Sequence, residues 1–254
     1  MINLQKASFG KRIIAAIFDG ILLSIIAVGL IALLSGVFNT DKYKETAEIF
    51  IAKYKTEYQL NLSTDDYKEL TEQEKTDYAE RFKAFNNAFK QDPEASYASS
   101  MFSNLILLIT TFSILISIIA IEFAVPLFFG NGQTLGKKIF GIALMHTDGI
   151  KVSNIQLFIR AVLGKFTLET MIPVYILILI YFNSIGIVSI IVLAILLIVQ
   201  IICLIATRTN SLLHDVLAGT VAVDMASQRI FDSREALIEY TKKLHAQQAN
   251  KPIY

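Results

Sequence analysis

Three stretches of this chain are apolar almost without interruption: Ile13 to Val37, Phe102 to Phe129 and Ile185 to Ala206. A helix crossing a hydrocarbon core of roughly 30 Å needs about 20 such residues, so each predicts one transmembrane helix. Ile172 to Phe182 is too short alone. A helix opening near Ser153 and running through Arg160, Lys165 and Glu169 would enter the membrane obliquely, kink at Pro173 and complete a fourth span over about residues 155–182. Asn183, Ser184 and Gly186 then make the turn into the last span, residues 185–206. The first run exceeds the core of a cleaved signal peptide and contains Asp19, so it reads as a retained helix.

Residues 39–100 follow a different pattern. Tyr43, Ala47, Phe50, Tyr54 and Tyr58 recur at helical spacing, as do Tyr78, Phe82, Phe85 and Phe89. Thr71 and Glu74 fit a capping box that opens the second of these helices, and Asp92 with Pro93 closes it. The stretch predicts an extracytoplasmic helical hairpin, either a folded cap over the bundle or a receptor or ligand surface. The expected fold is an all-α membrane protein, a four-helix transmembrane bundle with short interfacial helices and this insertion. Its parts are residues 1–38, the insertion 39–100, the remaining core 101–225, and a cytoplasmic tail 226–254. In that tail Leu237, Tyr240 and Leu244 suggest one more amphipathic helix.

Composition agrees, with 54% hydrophobic and 18% charged residues. Lys6, Lys11 and Arg12 precede the first span, Lys137, Lys138 and Lys151 lie between the second and third, and Arg208, Arg229 and Arg234 follow the last. The positive-inside bias therefore places both termini in the cytoplasm of a multi-pass cell-membrane protein. A net charge of +1 gives no case for a nucleic-acid partner. The single Cys203 cannot form an internal disulfide, and without Trp the interface anchors are Tyr and Phe such as Tyr175, Tyr181 and Phe182.

The connection Gly130–Gly149 resembles a phosphate loop only superficially. Five residues separate Gly130 from Gly136, and Lys137 is followed by Lys138 where a Ser or Thr is required. Instead, Gly130 and Gly132 form a turn and Thr134 starts a short interfacial helix. Asp148 and Gly149 make a hairpin turn joining Ile142–Met145 to Val152, and Lys137 and Lys138 meet lipid phosphates. His146, His214 and His245 have no zinc-ligand spacing, and no cofactor motif is present.

The candidate chemistry lies in charges at membrane depth, which are costly and face a partner or water. Arg12 and Asp19 stand two helical turns apart on one stripe, beside Ala16, Gly20, Ser24 and Ala27, small residues that admit a neighbouring helix. Arg208 and Asp215 repeat the seven-residue spacing; Asn210 or Ser211 would cap a short amphipathic helix carrying His214 and Asp215 near the membrane surface, with Gly219 as its stop. Glu122 sits roughly level with Asp19, and Pro126 cannot donate to the carbonyl of residue 122. Two carboxylates and a carbonyl at one depth could coordinate a hard cation or exchange a proton for it.

The blocks RIIAAIFDG (Arg12–Gly20), GQTLGKKIFGI with the following Asp148–Gly149, the Ile159–Arg160 pair, and LLHDVLAGT (Leu212–Thr220) resemble the RDD family of bacterial membrane proteins. The resemblance covers neither the insertion nor the tail. It implies a bacterial inner-membrane location and a transport role, with exchange of a cation for protons proposed for some members of the family. Two site readings follow. In a transporter, Asp19 and Glu122 carry Na⁺, K⁺ or H⁺, and Arg12, Asp215 and Arg208 form a charge cluster or gate. In a non-transporting accessory or binding protein the same Arg and Asp residues are a structural ion pair. An enzymatic acid dyad of Asp19 and Asp215 lacks the Gly-x-Gly-Asp setting of intramembrane aspartyl proteases, so no enzyme is expected. Four spans are few for a transporter, which suggests a homodimer in the bilayer.

Overall fold

The structure is a computed structural model and describes residues 4–181 and 186–249. The turn expected at Asn183 and Ser184 lies outside the described residues, as do Phe182 and the side chain of Tyr181. In chain order the helices are α1 (Phe9–Val37), α2 (Thr40–Glu57), α3 (Thr64–Glu69), α4 (Glu72–Gln91), α5 (Pro93–Phe129), α6 (Leu135–Ile139), α7 (Asn154–Ile180), α8 (Ile187–Ala206), α9 (Leu213–Ala218) and α10 (Arg234–Ala249). Two strands, β1 (Ile142–His146) and β2 (Thr220–Asp224), complete the described chain. Among the described residues four helices, α1, α5, α7 and α8, are long and apolar enough to cross a membrane. This is an all-α membrane protein with one added two-stranded ribbon.

Local signals explain where the spans begin. α1 starts ahead of the apolar run because Ser8 accepts the backbone N–H of Lys11 at its side chain and that of Arg12 at its carbonyl. α5 opens with Pro93, whose missing N–H is harmless in a first turn, while the Asp92 carboxylate accepts from the N–H groups of Glu94 and Ala95. α7 opens on a capping box between Ser153 and Gln156. Two spans contain π-helical segments, Ile119–Ala124 in α5 and Ile159–Met171 in α7. Each ends just before a proline, Pro126 or Pro173, which cannot make the α-helical bond four residues back; the wider register upstream accommodates that break. At Pro173 the chain thus answers the expected kink with a long π-helical segment.

The chain divides into two compact units, Gly29–Phe112 and Met1–Val28 with Ser113–Tyr254. In the first, Tyr54 of α2 meets Phe85 and Phe89 of α4 edge-on at 6.5 and 6.0 Å, and its hydroxyl donates to Asp92 at 2.9 Å. Capping boxes at Ser63 and Thr71 open α3 and α4.

In the second unit, Ala27 of α1, Ile114 and Ile118 of α5, and Ala161 and Met171 of α7 form a buried apolar cluster. Beside it lies the antiparallel ribbon, with Ile142 opposite Asp224 and His146 opposite Thr220. Both ribbon faces are covered: Ile142, Leu144 and Ala222 pack with Ala7, Ala15 and Leu157, while Ala143, Met145, Val221 and Val223 pack with Leu4 and Ile230. The expected hairpin-type turn between Ile142–Met145 and Val152 is present but short. The Asp148–Gly149 turn forms, with Gly149 at φ 89°, but pairing across it stops at a single bridge between Met145 and Lys151. Val152 leads directly into the Ser153 cap, so no length remains for a strand, and β1 takes β2 as its partner.

α9 packs closely on α7 because Gly164 has no side chain. A Cβ there would lie 2.5 Å from the Cβ of His214 and 2.7 Å from its Cα. Gly164→Ala should therefore destabilise the protein in detergent by about 1–3 kcal/mol, the usual cost of overpacking. An unchanged thermal midpoint would show that this approach is not maintained in the folded protein.

Candidate functional site

Arg160 is the centre of the buried polar cluster. It projects from the π-helical part of α7, is 3% exposed, and uses three nitrogens of its guanidinium separately. Nε donates to Asp215 at 2.8 Å, Nη1 donates to Glu122 at 2.9 Å, and Nη2 lies 2.9 Å from Nε2 of His214. The rigid donor fork of arginine spreads its donors over three nitrogens and so suits three separate partners, whereas a lysine would have to reach all three from one nitrogen. The sequence places Arg160 on the fourth span and in the Ile159–Arg160 pair but gives it no partner. The signal available was a guanidinium on a span, subject to the same cost argument as Asp19.

Glu122, from the π-helical part of α5, receives Arg160, the ammonium of Lys165 and, at 3.5 Å, that of Lys137. The basic partners of Glu122 thus come from neighbouring elements. Asp19 is also occupied. It accepts from the Thr134 hydroxyl and from the backbone N–H of Gly136 at 2.8 Å, and Lys137 Nζ lies 4.0 Å away. Thr134 caps α6 by accepting the N–H of Lys137. Gly136 is required by this contact, since a Cβ there would lie 2.4 Å from the Ala15 carbonyl and 3.0 Å from the Asp19 carboxylate.

Lys137 is therefore not at the lipid phosphates, as its sequence position suggested, but 7% exposed and between the two candidate carboxylates. Its ammonium also donates to Thr134 Oγ1 at 3.2 Å. Burial lowers its pKa to about 8 despite the attraction of Glu122. Lys138 lies over the Phe129 ring at 3.8 Å.

Arg12 pairs with Asp215 and not with Asp19. Its Nη1 donates to the Asn210 carbonyl at 2.8 Å and its Nη2 stands 3.8 Å from Asp215. A shared helix stripe sets direction but not reach: α6 holds Asp19, whereas the segment after α8 comes to Arg12. Arg208 contributes its carbonyl to Lys6 Nζ at 3.0 Å. The start of α9 also differs from expectation, since Leu212 is its N-cap and no side chain of Asn210 or Ser211 caps it. Gly219 ends it at φ 63°.

Asp215 accepts from Arg160 and from the Thr220 hydroxyl at 2.9 Å. Burial alone would raise its pKa, but Arg160, the His214 ring and the Thr220 hydroxyl together outweigh that and hold it well below the usual carboxylate range. His214 is buried rather than lying on an amphipathic surface. Its Nδ1 faces Glu169 at 2.8 Å, so Nδ1 carries the proton and Nε2 accepts from Arg160. Burial lowers its pKa, which agrees with a neutral ring. A cavity of about 70 Å³ adjoins the cluster, lined by Arg12, Lys137, Arg160, Lys165, His214 and Asp215 among others. It has room for water or a small ion.

Membrane-spanning helices packed around a buried, nearly balanced network of cations and carboxylates define a polytopic membrane protein with a buried polar site. The chain belongs to the RDD family, whose model matches residues 6–219. No curated protein and no solved structure matches it.

Arg160→Leu leaves Glu122 and Asp215 short of their main partner in a low-dielectric site. It should cost about 3–5 kcal/mol in detergent unfolding. By contrast, losses from Arg12→Leu and Asp19→Leu should be additive in a double-mutant cycle, because the two side chains have separate partners. A coupling well above about 0.5 kcal/mol in that cycle would contradict the pairing described here.

Proposed function

We propose that the protein exchanges a monovalent cation, Na⁺ or K⁺, for protons, with Lys137 as the proton carrier. The observation that supports this most is the position of the Lys137 ammonium between Asp19 and Glu122. When Lys137 loses its proton, the two carboxylates retain their negative charge and a metal cation can replace the ammonium. One proton leaves as one cation binds, so the charge of the site is conserved. A carrier must alternate near working pH, and a lysine lowered to about 8 meets that need where a carboxylate held by three cations does not. The adjoining cavity gives water or the ion room beside Lys137. Glu122 and Asp19 act as fixed ligands in this reading, and Arg12 with Asp215 steadies the neighbouring segment.

A second reading is favoured by the extent of the hydrogen bonding: an accessory or binding protein in which the same network is purely structural. Lys137→Arg separates the two. The guanidinium keeps the charge but does not deprotonate at accessible pH. Wild-type protein in vesicles should show Na⁺- or K⁺-dependent proton movement with an apparent pKa of about 8, and Lys137→Arg should abolish it while the protein remains folded. If wild-type vesicles move no protons with any alkali cation under either gradient, exchange fails and the accessory reading stands. Neither reading involves catalysis.

We also infer from the basic flanks that both termini are cytoplasmic in a cell membrane and that residues 39–100 lie outside. With Cys203 replaced, a cysteine at Lys68 should label from outside intact cells and one at Lys242 should not; the reverse pattern would invert the orientation. Helix α8 buries none of its residues within the chain, which supports a lipid-facing surface or a homodimer contact there.

A further inference from the structure

We propose that the groove between the N-terminal end of α1 and the C-terminal end of α8 binds the headgroup of an anionic phospholipid. The groove has a volume of about 600 Å³. Its polar side carries Lys6, Ser8 and Arg12, and its apolar side Phe9, Leu204 and Ile205. Lys6 Nζ is held by two neutral oxygens, the Arg208 carbonyl at 3.0 Å and Asn210 Oδ1 at 2.6 Å. Among the described residues no carboxylate lies within ion-pair distance of Lys6. An ammonium donates three hydrogen bonds, so Lys6 retains one donor and its full charge. Arg12 adds a second cation, held by the Asn210 carbonyl and only 3.8 Å from Asp215.

Two features favour a lipid over a free phosphate ion. The groove lies where two membrane-spanning helices end, the level at which phosphodiesters stand, and basic pockets between span ends are suited to such headgroups. Its apolar side also continues along α8, where Ile205 is 74% exposed and no residue is buried, leaving a surface along which acyl chains can lie. The paired cations select an anionic headgroup, because the amine of a zwitterionic lipid would face Lys6 and Arg12.

The test measures lipid retention and thermal stability of the full chain in detergent, with phosphatidylglycerol, phosphatidylcholine or inorganic phosphate added. Phosphatidylglycerol should be retained and should raise the thermal midpoint, while phosphatidylcholine and inorganic phosphate should do neither. Lys6→Ala should reduce phosphatidylglycerol retention about five-fold, the effect of one cation near an anionic lipid surface. Its midpoint without lipid should fall only slightly, with the loss of two exposed hydrogen bonds, Lys6→Arg should preserve retention, and Lys138→Ala should leave it as in wild type. If Lys6→Ala disturbs folding, Lys6→Gln carries the same expectation. Equal retention by wild type, Lys6→Ala and Lys6→Gln, or an equal loss with Lys138→Ala, would overturn a specific site. Stabilisation by inorganic phosphate matching that by phosphatidylglycerol would overturn the lipid assignment.

Discussion

The guanidinium of Arg160 is the group on which the inner part of this protein depends. A cation at that depth is tolerated only when carboxylates meet it with good geometry, and those carboxylates come from α5 and α9. Glu122 then draws in Lys137 and Lys165, and Lys137 links onward to Asp19 of α1. Asp215 is bonded to Thr220, the first residue of β2, so the network also anchors the ribbon. Each buried charge is acceptable because its direct partners are present.

Such a network needs backbones closer than side chains normally allow. Gly164 lets α9 reach α7, and Gly136 lets the start of α6 reach the carboxylate on α1. The π-helical segments carry Glu122, Arg160, Lys165 and Glu169, four of the charged members. A wider helical register changes which side chains point inward, and in both spans it stands just upstream of a proline. The same irregularity that absorbs the missing proline N–H thus presents the polar side chains.

Arg12 borders both the small cavity of the network and the larger groove at the span ends. One of its guanidinium nitrogens faces Asp215 and another holds the Asn210 carbonyl, so the buried charges and the membrane surface meet in a single side chain. Lys137 is distinct among the buried cations: it stands on a short helix outside the spans, with a pKa lowered toward neutrality. These two positions differ in kind. Arg12 stays charged under any ordinary condition, whereas Lys137 can change its protonation.

The sequence by itself determined the four apolar spans, the caps at Thr71, Thr134 and Ser153, the stop at Gly219 and the presence of costly charges at Asp19, Glu122 and Asp215. All of these follow from local composition, periodicity or spacing within a few residues. The strand Thr220–Asp224 carries β-branched residues, but nothing local assigns it a partner. Only the tertiary structure decided which charge meets which: Asp19 meets Thr134 across 115 positions of chain, Arg160 meets Glu122 across 38, and Asp215 across 55. Helical spacing fixes the direction of a side chain on its own element, so Arg12 and Asp19 looked like partners. What a buried charge binds is set by the element that packs against it, and short elements between spans, α6 and α9, supplied those partners by bringing backbone into contact at two glycines.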